Sequence, residues 1–248
     1  MTTAVPHHDP APLPLPGGRS SVPTVLELSD LPAALRSIIG PLSRWWTVES
    51  PFEILLGCVL VQNTNWRNVE RSLDLLRRAG VTSPSRLLGT GVPELVALVA
   101  PSGFQDAKAR ALRGLCAWWV DEGGTDTLRG PGLHATTPAL THLPTPELRG
   151  ELLALRGIGP ETADVLMLYL LGRGVFVADT YARRLFGLLG WQVPRGYDAF
   201  ATRVQGGLEL PLEGWQEFHA LIDEFAKVHA RTPASWAAGP LAGWVLAP

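Results

Sequence analysis

The chain has 248 residues, 46% of them hydrophobic and 18% charged, enough apolar material for one large domain or two lobes. That excludes a disordered or fibrous protein over most of its length. The 21 basic and 23 acidic residues leave a net charge of -2, which argues against a sequence-blind, wholly electrostatic nucleic-acid binder, so any such contact has to be local. Cys58 and Cys116 are too few for a disulfide framework or for a four-thiolate zinc or iron–sulfur site within one chain. Both stand in apolar runs and read as reduced, buried thiols. Only Lys108 and Lys227 are lysines, so chemistry that needs a lysine side-chain amine has two candidates.

Residues 1–23 are proline-rich and read as a disordered, partly extended tail, with His7 and His8 in it as weak metal candidates. The first stretch has no early basic region and no hydrophobic core of a signal peptide, and no apolar run reaches the ~18 residues of a membrane span. The expectation is a cytoplasmic protein. Apolar residues at three-and-four spacing predict a helix over 24–39, closed by Pro41. Ser50-Pro51 supplies a cap and first position for a helix over 52–62, followed by an amphipathic one over 65–78. Further helices are predicted over 83–88, 92–100 and 105–120. Residues 121–144, rich in Gly, Thr and Pro, read as a loop. Helices over 145–155, 160–171, 179–189, 197–208 and 212–229 complete the set, and 232–248 is an Ala/Gly/Pro-rich tail. No run alternates for long, so strands are few or absent and the fold class is all-α.

The segment LRGIGPETA places Gly157 and Gly159 around Ile158, between two predicted helices. Two such glycines allow a tight turn and close backbone approach to a ligand. Pro160 then opens the second helix, whose first-turn amides are a seat for a phosphate oxygen. An ordinary helix–helix turn fits the same residues equally well. After an apolar helix, Gly172-Arg173-Gly174 and a VFV stretch comes Asp179, at the start of YARRLFGLLG. By itself this aspartate reads as an N-cap.

Together, a phosphate-gripping hairpin and a carboxylate about twenty residues on resemble the helix-hairpin-helix DNA glycosylases, the endonuclease III superfamily, whose hairpin reads LxGxGxxTA and whose aspartate opens the next helix. The resemblance runs from about Leu26 to His229. SPFEILLGCVLVQNTNW looks like the family's second helix and the loop whose glutamine, here Gln62, fills the gap left by an extruded base. APSGFQDAKARAL resembles another family segment, with Lys108 in a structural slot. The implied architecture has a helical barrel lobe with the hairpin over 51–168, a second lobe from 24–50 plus 169–248, and a DNA-binding groove between them.

Two departures set the subclass. Where endonuclease III carries a lysine that forms a Schiff base, this chain has Glu161, and a carboxylate cannot form an imine. The family's four C-terminal cysteines are missing from KVHARTPASWAAGPLAGW, so a [4Fe–4S] cluster is not expected, and Trp236 and Trp244 are candidates to fill its space. With Trp45-Trp46, Gln62-Asn63-Thr64, Trp66 and Gly157-Ile158-Gly159 followed by Glu161 and Asp164, the chain resembles the 3-methyladenine DNA glycosylase III branch, departing from it at Thr47, where that branch has proline. Trp118-Trp119 read as core.

The resemblance implies a monofunctional glycosylase of base excision repair acting on alkylated purines in double-stranded DNA, cytoplasmic and nucleoid-associated, and monomeric. Asp179 is the implied catalytic residue, with Glu161 either ordering water or capping its helix. Trp45, Trp46 and Trp66 line the base pocket, where aromatic faces attract a cationic purine, or else are core. Gln62, Gly157, Ile158, Gly159, Thr162, Arg183 and Arg184 contact DNA, the two arginines having a solvated face as their other reading. No cofactor is required, although a K+ or Na+ ion on the carbonyls of Leu153, Leu155 and Ile158 is implied. Two other readings stay open: an endonuclease III-like glycosylase for oxidised pyrimidines or mismatched bases, and a catalytically silent DNA-damage binder.

Overall fold

The computed structural model describes residues 23–42, 45, 46, 48, 50–128 and 134–248. The rest of the proline-rich tail, with His7 and His8, and Thr47 lie outside the described residues. In chain order the elements are β1 (Thr24–Leu26), a 3-10 turn (Leu28–Asp30), α1 (Leu31–Ile39), α2 (Pro51–Leu60), α3 (Trp66–Arg78), α4 (Pro84–Gly89) and α5 (Val92–Val99). A second 3-10 turn (Ala100–Ser102), α6 (Gln105–Asp121), α7 (Pro138–His142), α8 (Thr145–Ala154) and α9 (Pro160–Tyr169) follow. The chain ends with α10 (Thr180–Leu188), α11 (Tyr197–Gly207), α12 (Leu212–His229), α13 (Pro233–Ala237) and β2 (Trp244–Leu246). Helices dominate, as the periodicity predicts.

Local chemistry sets most boundaries. The side chains of Ser50, Asn65, Ser83 and Thr137 accept from the amides of Glu53, Asn68, Arg86 and Leu140, capping α2, α3, α4 and α7. Three expectations need correction. Residues 24–26 are a strand rather than the start of a helix, because Thr24, Val25 and Leu26 pair in parallel with Trp244, Val245 and Leu246. Residues 121–144 contain α7, opened by Thr137 and Pro138. The 232–248 tail holds α13, opened by a reciprocal Thr232–Ser235 capping box, as well as β2.

The chain divides into two units. One comprises residues up to Trp45, then Ala178–Glu209 and Glu217–Pro248. Its two strands pair in parallel, and Phe186 packs edge-on against Trp191 and Phe200 between α10 and α11. The other comprises Trp46–Val177 and Leu210–Gln216. There α2, buried from Phe52 to Leu60, packs on α3, α6 and α9, while α8 packs on α9. Trp118 and Trp119 are buried in α6, their indole N–H groups donating to Glu151 and to the Thr125 carbonyl.

Cys58 on α2 and Cys116 on α6 are buried thiols of this core. Burial pushes Cys58 far above its ordinary range and Cys116 up to about 12. Neither thiol is expected to react with Ellman's reagent at about pH 8 in the native protein, and both should react in guanidinium. Titration with and without denaturant checks this.

Candidate functional site

In the second unit, α8 ends at Ala154, and the amide of Ile158 donates back to the Leu155 carbonyl at 3.1 Å. Gly157 then adopts φ +90, and a Cβ there would lie 2.9 Å from the Cβ of Ala111 on α6. Gly159 caps α9 with extended backbone and no side chain, and Pro160 takes the first helical position. The positive pole of α9 therefore ends in backbone. Behind it Arg149 on α8 grips the buried carboxylate of Asp164 on α9 with two bonds, 2.7 and 3.2 Å, which fixes the two helices against each other. Glu161 is exposed on the first turn, whereas Thr162 is buried.

The turn after α2 meets this hairpin. Gln62 Nε2 donates to the Gly157 carbonyl at 3.1 Å and to Thr162 Oγ1 at 2.9 Å. Asn63 in that turn takes a left-handed φ of 54. Under it, the buried Lys108 ammonium donates to the carbonyls of Leu60 at 2.8 Å and Ser102 at 2.6 Å. Burial pulls Lys108 below its ordinary range.

Trp46 and Trp66 meet edge-to-face, centroids 5.1 Å apart and planes at 87°, with Tyr169 5.3 Å from Trp46. Gly57 on α2 makes room for them: a Cβ there would stand 2.8 Å from Trp46 and 3.3 Å from Trp66. Meeting edge-on at 5.1 Å, the two indoles leave no slot for a planar ring stacked between them.

Trp45 and Asp179 belong to the first unit. Asp179 caps α10, Oδ1 accepting from the Ala182 amide at 2.7 Å, and Oδ2 lies 3.7 Å from Nε2 of the buried His219. The His219 ring meets Trp45 edge-on at 5.3 Å, and the Trp45 indole N–H donates to Glu224 at 3.0 Å. Lys227 pairs with Asp223 and Glu224 and lies 5.5 Å from the Trp45 ring. Burial pushes the Asp223 carboxyl up, against the pull of Lys227 and His219. Partial burial lowers Lys227, but its two carboxylate partners outweigh that and hold it above its ordinary value.

His219 and Asp223 escaped the sequence reading. The signal was their four-residue spacing with Lys227, one stripe of α12. Of the arginines singled out, Arg183 donates to the carbonyls of Pro194 and Gly196 and covers the face of Phe200, whereas Arg184 is exposed, 5.7 Å from the Tyr181 ring.

A mostly helical fold carrying this glycine hairpin, with an aspartate capping the next-but-one element, defines a helix-hairpin-helix protein. The chain belongs to the HhH-GPD superfamily of base excision DNA repair proteins, whose family model matches residues 56–205. It is 35% identical over 193 residues, 77% of this chain and 83% of the relative, to a Methanocaldococcus jannaschii protein provisionally named a DNA repair glycosylase. Endonuclease III of Thermotoga maritima is 25% identical over 192 residues, 77% of this chain and 80% of that one. Among solved structures, the H. pylori 3-methyladenine DNA glycosylase MagIII, bound to 1,N6-ethenoadenine, matches with TM-score 0.67 and 26% identity over 82% of this chain and 98% of that one. An endonuclease III–DNA complex has the same fold at TM-score 0.62 and 20% identity, over 82% of this chain and 85% of that one.

No helix among the described residues is long and apolar enough to cross a membrane, and no group of three His, Cys, Asp or Glu among them is placed to hold a metal ion. The hairpin glycines differ in what they tolerate. Gly157→Ala is expected to lose about 1–3 kcal/mol from the Ala111 clash and the left-handed backbone. Gly159→Ala, with open space around it, should melt close to wild type. Thermal unfolding of the two variants side by side measures the contrast.

Proposed function

We propose that the chain is a monofunctional DNA glycosylase that hydrolyses the N-glycosidic bond of alkylated purines, such as 3-methyladenine, in double-stranded DNA. The observation that carries the hydrolytic half is the state of the amines. Glu161 stands at the hairpin position of the Schiff-base lysine. Lys108 is buried with its ammonium on two carbonyls, and Lys227 is paired with two carboxylates. An amine held on two buried carbonyls or between two carboxylates is not presented to a sugar carbon. The choice of alkylated purine is supported by the aromatic set and by similarity to the H. pylori enzyme.

In this reading the helix pole at Gly159 and the amides around it hold a backbone phosphate, with Arg184 as an exposed partner for another. Arg183 is already engaged by two carbonyls and contributes chiefly by fixing that loop. Gln62 fills the space of the extruded nucleotide, and Trp46, Trp66 and Trp45 receive the base, whose positive charge favours aromatic faces. Asp179 has one oxygen committed to its helix cap, which aims the carboxylate, and Oδ2, 3.7 Å from His219 Nε2, is the oxygen that faces the sugar's positive charge. That oxygen stabilises the oxocarbenium-like sugar as the C1′–N bond breaks, the bond's electron pair leaving with the cationic base, which departs neutral. Water adds to C1′ and loses a proton, and Asp179 orients it. Glu161, exposed on the first turn of α9, is the candidate to order that water.

A potassium or sodium ion suits the donor chemistry at the end of α8, where the last carbonyls of a helix form its negative pole and that of Leu155 accepts from the Ile158 amide. Leu153, Leu155 and Ile158 would hold it through their carbonyls, and it would supply positive charge beside a bound phosphate.

Base release from methylated duplex DNA tests the reading. Wild type should release 3-methyladenine, with strand breaks only after alkali and no borohydride-trapped adduct, and Asp179→Asn should be slower by about a hundredfold or more. Borohydride trapping would overturn the monofunctional assignment. Release of oxidised or mismatched bases instead would move the substrate towards the endonuclease III reading, and tight binding without any release would leave a damage binder.

A further inference from the structure

We propose that Thr162 is a positioning residue for Gln62: its hydroxyl, with the Gly157 carbonyl, holds the glutamine side chain in the pose from which it fills the gap in the duplex. This rests on the reading of Gln62 as the gap-filling residue. Gln62 sits in a short polar turn, where an unrestrained glutamine samples many rotamers. Here both amide hydrogens of Nε2 have acceptors on the hairpin, Thr162 Oγ1 at 2.9 Å and the Gly157 carbonyl at 3.1 Å. The carboxamide is thereby held with its nitrogen end on the hairpin, which makes Oε1 its acceptor end. A base left without its partner offers N–H donors on its pairing edge, and an oriented acceptor is what such an edge lacks.

Both holding groups are rigid. Thr162 is buried in the first turn of α9, and Gly157 is pinned against Ala111 with a backbone only glycine adopts readily. On the other side, Asn63's left-handed bend and the Lys108 ammonium on the Leu60 carbonyl fix where the turn leaves α2. Gln62 therefore loses its side-chain freedom when the protein folds rather than when DNA arrives, and that favours insertion. The same bonds tie the gap-filling side chain to the hairpin that grips phosphate, so one rigid body sets both contacts.

The test is a double-mutant cycle on the single-turnover rate of 3-methyladenine release, using the full chain with Thr162→Val, Thr162→Ser, Gln62→Ala and the double variant. Valine keeps the shape of threonine and removes the acceptor. Thr162→Val is expected to slow release about fivefold, the scale of one hydrogen bond. Thr162→Ser, which restores the hydroxyl, should recover most of that loss. In the Gln62→Ala background, Thr162→Val should add less than about twofold, because coupled residues are not additive. Additive losses, failure of serine to rescue, or a faster Thr162→Val enzyme would overturn the proposal, the last by showing that the contact holds Gln62 back. Should Gln62→Ala itself release base at the wild-type rate, the gap-filling reading falls and the proposal with it. A slow Gln62→Ala beside a normal Thr162→Val would sink the proposal alone.

Discussion

Gly157 lies so close to α6 that a single added carbon would stand 2.9 Å from Ala111, and the hairpin's geometry follows from that approach. It presses the turn between α8 and α9 onto a helix of the core and sets the φ of +90 that reverses the chain. The reversal points the Gly157 carbonyl at Gln62 and starts α9 at a residue with no side chain. The Arg149–Asp164 fork then holds the helices on either side in register. A charge pair this buried adds little net stability, but it fits only one alignment of the two helices.

The near-neutral charge of the chain is consistent with a binding surface of this kind. A helix pole and backbone amides attract a phosphate without a field of basic side chains. The charged groups that the fold does bury are spent on positioning. Lys108 ends two turns by taking their carbonyls, and Lys227 offsets Asp223 and Glu224 on α12. Asp179, His219 and Trp45 complete that second cluster, in which the aspartate is held by its own helix and the histidine by an indole edge. Both lysines are thus engaged in contacts within the fold, and the first turn of α9 carries Glu161.

Small residues matter as much as large ones at the aromatic site. Gly57 is the only residue type that lets Trp46 and Trp66 sit so near the backbone of α2. The two indoles meet edge-to-face, the arrangement that aromatic quadrupoles favour. The number of tryptophans gave no hint of this, since indoles in a core and indoles in a pocket have the same spacing in a sequence.

What the sequence by itself determined is what short-range chemistry controls. The helix caps at Ser50 and Asp179, the glycine hairpin with Pro160, and the buried tryptophans of α6 depend on neighbours a few residues away and were readable there. The long α12 was bounded correctly by its apolar period alone. Tertiary structure decided what depends on distant partners. Thr24–Leu26 reads as helix until Trp244–Leu246 from the other end of the chain pairs with it. His219 and Asp223 look like ordinary polar positions until α12 turns them towards Asp179. Gln62 and Thr162 belong to separate motifs, and only the packing of α2 on α9 brings a donor of one to an acceptor of the other. Hydrogen bonds and ion pairs act over a few ångströms, so a pattern along the chain can name such groups but not join them.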